Sequence, residues 1–282
     1  MPADPQAQPV RQWVATVFAG NPGSGRPLAR GNTAMIAQLS RNEIDDPARL
    51  QTRARQAVVA ETSCFFAGSG CSTRFPVHCF NRTQAIQCCG HGMYAVAGIL
   101  RDEVAAGTRR VALRTGTGDI TAEFAGQDVV IGMPLLGCRP SAVPSWAAAA
   151  AGIAPLAVAH AGGEDGYAVW VYASVDQVIN LQPAGEVMIA NTGRAIIASS
   201  WDTTACSGFV LRYFAPQYGV AEDPVTGSAM RIAAEYWRQY SGNHAFQVWQ
   251  CSATGGIAQL SLDQQYCWLR GSHQATSLPV VA

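Results

Sequence analysis

The sequence predicts an α/β protein built as two similar lobes that share one cleft. Two observations carry this. The chain has 282 residues, and domains usually run to about 100–150 residues, so length points to two. Each half also follows one plan of strand, loop, small-residue turn and apolar helix. Arg74-Phe75 leading to Gly90-His91-Gly92 parallels Arg212-Tyr213-Phe214 leading to Thr226-Gly227-Ser228. Two such lobes leave a concave site between them. The boundary is expected within residues 126–132, which divides the chain into 1–128 and 129–282.

The elements follow in order. Residues 10–18 read as an opening strand, ahead of a Gly/Pro loop at 19–29. Residues 32–40 and 47–57 read as helices, 63–67 and 74–80 as strands. Residues 93–100 are apolar nearly all round, so the helix they form is expected to be buried. Short strand-like runs separated by glycines fill 109–133. Gly152 and Pro155 break the alanine-rich run 146–161 into a loop or short helix. In the second half, 167–173 and 208–214 read as strands, with a turn or helix start at 176–180. Residues 230–240 read as a helix, and 246–249, 257–262 and 266–269 as strands.

Composition removes several function classes. Apolar residues make up 49% and charged residues 13%, a composition that supports packed cores rather than disorder. Nineteen acidic residues balance nineteen basic ones, so no global field draws a nucleic acid. All nineteen basic residues are arginine, which excludes a Schiff-base lysine, a P-loop lysine and a kinase-type lysine. No run of about 18 apolar residues is present, so no membrane span is expected. The N-terminus lacks a secretory pattern, and the nine cysteines are expected as reduced thiols of a cytoplasmic protein. No Cys-x-x-Cys pair occurs and the five histidines are scattered, so no metal site is expected.

The residues with chemistry cluster at two helix starts. Cys89-Gly90-His91-Gly92 and Thr226-Gly227-Ser228 both place small residues where backbone N–H groups converge, and a helix N-terminus favours an anion. Each is also what an ordinary N-capped helix requires, with Thr226 or Ser228 as the cap. His91 titrates near neutrality and suits proton transfer. Asp223 precedes the second helix start, where it either complements the helix dipole or orients His91. Glu61 stands in an apolar run, where desolvation raises a carboxyl pKa toward neutrality. Cys89 is either a small buried cysteine or a thiol activated by the helix start and His91.

Taken together, these pieces resemble the PhzF-like branch of the diaminopimelate-epimerase fold over about residues 10–269. Glu222-Asp223-Pro224-Val225-Thr226-Gly227-Ser228-Ala229 is similar to the family's DPVTGSA signature. Phe18 with Gly25, Pro27 and Ala29 resembles an N-terminal element in which Arg26 replaces Asn. Glu61-Thr62 and Gly90-His91 resemble two further elements, and Gln250 with Gly255 a weaker one. The resemblance implies that each lobe is a sheet curled around a central helix. It also implies a cofactor-independent, homodimeric isomerase of a small carboxylate or amino-acid-like substrate. Glu61 would move the proton, with His91, Asp223 and Ser228 in support. Gly90, Gly92, Thr226, Gly227 and Ser228 would bind the substrate.

The sequence departs from that family at Gly92, where Pro or Ala is usual, at Met230, where His is common, and at Cys89. Cys-Gly-His-Gly resembles the first catalytic-cysteine motif of proline racemases, whose second cysteine is replaced here by Thr226. A racemase, epimerase or hydroxyproline-type dehydratase using Cys89 with Thr226 is therefore the alternative expectation. A non-catalytic small-molecule-binding protein is the third.

Overall fold

The computed structural model describes residues 10–23, 25–57, 60, 62–69, 71–105, 107–204 and 207–279. They form two compact units. One comprises Met1–Val17, Thr33–Gly132 and Ser272–Ala282, the other Phe18–Asn32 and Met133–Gly271.

The first unit is one sheet around one helix. Its strands are β1 (Arg11–Val17), β2 (Asn32–Leu39), β3 (Thr62–Ala67), β4 (Arg74–Phe80), the short β5 (Ala85–Ile86), β6 (Arg110–Thr115), β7 (Gly118–Ala125) and β8 (Asp128–Pro134). The C-terminal strand β17 (His273–Ser277) completes the sheet by pairing antiparallel with β1. From there the order is β17-β1-β2-β3-β4-β6-β7-β8. The β2/β3 and β4/β6 pairs are parallel, and β3/β4, β6/β7 and β7/β8 are antiparallel. A parallel pair needs a crossover. Helices α1 (Arg41–Ile44) and α2 (Pro47–Gln56) make the first crossover. Helix α3 (Gly90–Ile99), continued by a π-helical turn (Leu100–Val104), makes the second.

The second unit repeats this plan. Its strands are β9 (Cys138–Ser141), β10 (Ala157–Ala161), β11 (Tyr167–Val171), β12 (Ala195–Trp201), β13 (Gly208–Phe214), β14 (Ala245–Gln250), β15 (Gly256–Leu262) and β16 (Tyr266–Arg270). They pair in sequence order, with β11/β12 and β13/β14 parallel and the other pairs antiparallel. Helix α4 (Ala147–Ala151) precedes β10, while α5 (Val175–Ile179) and α6 (Gly185–Asn191) make the first crossover. Helix α7 (Gly227–Ser241) makes the second crossover, as α3 does in the first unit. The repeat expected from the sequence is thus present, strand for strand apart from the short β5, with β17 standing where β9 stands.

Each central helix is enclosed by its own sheet. All ten residues of α3 are buried, and α3 touches β1, β3 and β17. Helix α7 touches strands from β9 through to β16, so the sheet curls round it. Burial of α7 extends to two charged residues, both met by backbone. Arg231 donates to the Pro134 carbonyl, and Glu235 accepts from the Leu136 and Gly137 N–H groups. A buried charge is tolerated when it is hydrogen-bonded in this way.

Residues 32–40, expected as a helix, form strand β2 over Asn32–Leu39. The strand is parallel to β3 and apolar on both faces, with Ala34, Met35, Ile36, Ala37 and Leu39 all buried. An apolar run covered on both faces carries no period that separates strand from helix. The expectation of reduced thiols fails at Cys64 and Cys79, which form a disulfide. They are directly opposed across the antiparallel β3/β4 ladder, with Cα atoms 4.2 Å apart. Among the described residues, no helix is long and apolar enough to cross a membrane.

Gly98 shows how closely α3 is enclosed: a Cβ there would overlap the buried His273 imidazole of β17. Overpacking a filled core costs about 1–3 kcal/mol. Gly98→Ala is therefore expected to lower unfolding free energy by about 2 kcal/mol, measured by urea denaturation with circular dichroism.

Candidate active site

In the first unit, the start of α3 gathers Cys89, Gly90, His91 and Gly92, all buried. Cys89 occupies the N-cap position, and its carbonyl accepts the Met93 N–H at 2.9 Å, so the helix is under way within one turn. The Cys89 Sγ lies 3.8 Å from His91 Nδ1, within reach of a sulfur hydrogen bond. N–H groups in the first turn of a helix have no intrahelical acceptor and carry the positive end of its dipole. Gly90 and Gly92 leave no Cβ over them. The need for glycine at 92 is steric, because a Cβ would overlap Cys64 Sγ and lie 2.8 Å from Cys89 Sγ.

In the second unit, the turn into α7 is a closed hydrogen-bonded assembly. The Asp223 carboxylate accepts from Asn32 Nδ2 at 2.9 Å and from the Thr226 hydroxyl at 2.5 Å. Asn32 Nδ2 also donates to the Val225 carbonyl. Gln250, fully buried, accepts from the Thr226 backbone N–H at 2.8 Å and donates to the Asp223 carbonyl at 2.7 Å. The loop before α7 is therefore clamped by one amide from residue 32 and one from the end of β14. Val225 plugs it from below, against Gly256, where a Cβ would overlap the valine methyls.

This geometry gives each group a definite state. Asp223 uses both carboxylate oxygens, Oδ1 for Asn32 Nδ2 and Oδ2 for the Thr226 hydroxyl. Thr226 holds the N-cap position without making a side-chain cap, and its hydroxyl donates to Asp223. Gly227 and Ser228 then supply the first-turn N–H groups of α7, with Ser228 buried beside them.

Asn32 is held in place by its own segment. Arg26 pairs with Asp202 at 2.8 Å, donates to Thr204 at 3.0 Å and stacks over the Trp249 ring at 4.7 Å. Burial pushes the Asp202 pKa up, but hydrogen bonds from Thr204 and Arg26 outweigh it and hold the carboxyl below its ordinary value. Asn32 and Gln250 were not among the expected site residues. Asn32 fell within the supposed helix, and no local spacing ties residue 250 to residue 226. Glu61 lies outside the described residues.

A family model described as phenazine biosynthesis-like protein matches residues 16–274. A protein of Halalkalibacterium halodurans named an uncharacterized isomerase is 28% identical over 264 residues, covering 92% of this chain and 93% of its own. The crystal structure of a PhzF-family phenazine biosynthesis protein from Enterococcus faecalis superposes with a TM-score of 0.80 at 18% identity. The match covers 96% of this chain and all of that one. The same fold extends to a probable proline racemase from Agrobacterium radiobacter, with a TM-score of 0.61 at 10% identity over 96% of this chain and 93% of that one.

Two outcomes test this geometry. Gln250→Ala leaves the buried Thr226 N–H and Asp223 carbonyl without their partner. Each orphaned group costs about 1–3 kcal/mol, so a loss of at least 2 kcal/mol in denaturant unfolding is expected. A lowered Asp202 pKa contributes stability that is fully present above its unfolded value of 3.8 and is lost as pH falls through the folded value. Below pH 3.8 the wild type should therefore lose stability more steeply than Arg26→Gln, measured as Tm against pH.

Proposed function

The chain belongs to the PhzC-PhzF family of phenazine biosynthesis-like proteins, and from that premise we propose a cofactor-independent isomerase. Its substrate is a small carboxylate or amino-acid-like molecule, and its chemistry is proton transfer by acid/base groups. The observation that carries this reading is the duplicated helix start. Two units of the same topology each bury the first turn of a central helix behind small residues. Beside one turn stand His91 and Cys89, and beside the other the Asp223–Thr226 pair.

In this reading the first-turn N–H groups at Gly90, Gly92, Gly227 and Ser228 bind the substrate carboxylate and the negative charge that develops as a carbon loses its proton. Such donors are fixed before the reaction, so they need not reorganise as charge appears. Glu61 takes the proton from one carbon and returns it at another. His91 sets the polarity of the α3 start, and Asp223 holds the α7 start through Thr226. The protein works as a cytoplasmic homodimer on substrates taken from solution.

The Cys89–His91 contact favours a second reading, in which the thiol is the base of a racemase, epimerase or dehydratase, with Thr226 as its counterpart. A thiol at a helix N-terminus beside histidine is activated toward thiolate.

One experiment separates them. A panel of small amino and hydroxy carboxylates is incubated with the protein in D2O, and deuterium at carbon is followed by NMR. General acid/base groups contribute about 100- to 10,000-fold, so Glu61→Gln should slow exchange at least about 100-fold while Cys89→Ala keeps most of it. Loss in Cys89→Ala with retention in Glu61→Gln would assign the base to the thiol. Ligand binding without exchange in the wild type would leave a binding protein instead.

A further inference from the structure

Three cysteines from three separate elements converge under the start of α3. Cys64 lies on β3, Cys79 on β4 and Cys89 at the N-cap of α3. Their sulfurs all lie within 4.8 Å of one another, and all three side chains are buried. Gly92 completes the arrangement, because a Cβ there would overlap Cys64 Sγ and come within 2.8 Å of Cys89 Sγ and 3.1 Å of Cys79 Sγ. The space that a side chain at 92 would fill is thus given over to three sulfurs. No Cys-x-x-Cys spacing announces the cluster, since the sheet and the helix start assemble it.

We propose that the dithiol form of this chain binds one Cu(I) ion through Cys64, Cys79 and Cys89. Soft thiolates select soft ions, and Cu(I) accepts two or three sulfur ligands without the fourth donor that a zinc site requires. Three sulfurs around one ion, each at about the 2.3 Å of a metal–thiolate bond, stand about 4 Å apart, so Cys64 and Cys79 Sγ have to separate once their bond is reduced, within a cluster whose sulfurs already lie inside 4.8 Å of one another. The anionic charge of the thiolates lies at the positive end of α3, with the His91 ring 3.8 Å from Cys89 Sγ. Other buried cysteines lack such company. Burial, the largest cause, pushes the Cys138 and Cys251 thiols up to about 12, which keeps them protonated.

The Cys64–Cys79 disulfide is the alternative state of the same site. A dithiol reductant delivers two electrons and two protons, leaving two Cys thiols and its own disulfide. Cu(I) then displaces protons from the thiols it binds, with no further redox change. The bridged form offers a single thiol, Cys89, and holds no ion. This site stands independently of the isomerase reading, since its readout is metal binding by the resting protein.

The test titrates the full chain with Cu(I) under anaerobic conditions against the chromophoric competitor bicinchoninate, before and after reduction by a phosphine. The reduced chain should withhold one equivalent, and the disulfide form none. Cys64→Ser, Cys79→Ser, Cys89→Ser and Gly92→Ala should each weaken binding at least tenfold, while Cys71→Ser, at an exposed cysteine, should not. Circular dichroism of each variant separates lost binding from lost fold. Copper X-ray absorption of the loaded wild type needs no variant at all, and should show three sulfur neighbours. Equal copper uptake by the reduced and bridged forms, undiminished binding by a folded Cys89→Ser, or a coordination shell of nitrogen and oxygen would each overturn the site.

Discussion

A helix whose first turn is buried sets its N–H groups away from bulk solvent, and this protein builds that situation twice. The cost of orphaned backbone donors is what the surrounding chemistry must answer. At α7 the answer is a set of amides. Gln250 takes the Thr226 N–H, Asn32 secures the Val225 carbonyl and the Asp223 carboxylate, and the remaining first-turn donors are left at Gly227 and Ser228. At α3, glycine, histidine and glycine follow a cysteine, so the turn is lined by small or polarisable groups. Everything proposed for function depends on these two turns being buried and rich in donors.

The duplication explains why the turns have the same construction. In both units the helix enters between the second pair of parallel strands, β4 and β6 or β13 and β14. A parallel crossover has to leave the sheet and return to it, and the sheet's curl then closes over the helix. The first unit takes its outermost strand from the end of the chain, because β17 occupies the place that β9 fills in the second. The chain's last strand is therefore structural for the unit that holds Cys89 and His91. Its His273 is the residue that requires glycine at position 98.

Much of this was legible in the sequence where a local signal exists. Strand β4 and strand β13 carry the bounds their patterns indicate, and the all-round apolar run 93–100 lies within or next to a fully buried helix. Asp223, Thr226 and Gly227 stand out by their spacing ahead of α7. What stayed hidden depends on distance along the chain. Asn32 meets Asp223 across 191 residues, and Gln250 meets Thr226 across 24, so no period links them. Strand β2 looks helical because a parallel strand buried on both faces loses its alternation. The sulfur cluster is hidden for the same reason, since residues 64, 79 and 89 become neighbours only through the β3/β4 ladder and the α3 crossover.

Gly92 bears on the choice between the two catalytic readings. The Cys-Gly-His-Gly string resembles a racemase motif, and taken alone it draws attention to Cys89 as a base. Yet the glycine after His91 is required by sulfur packing, and Cys89 Sγ is one of the sulfurs that require it. A sulfur that shares a buried cluster with Cys64 and Cys79 is committed to that cluster, whether as a neighbour of their bridge or as a ligand beside two thiols. The glycine that completes the motif is thus accounted for by sulfur packing. In the proposed function this weighs toward Glu61 as the base, with the α3 start holding charge.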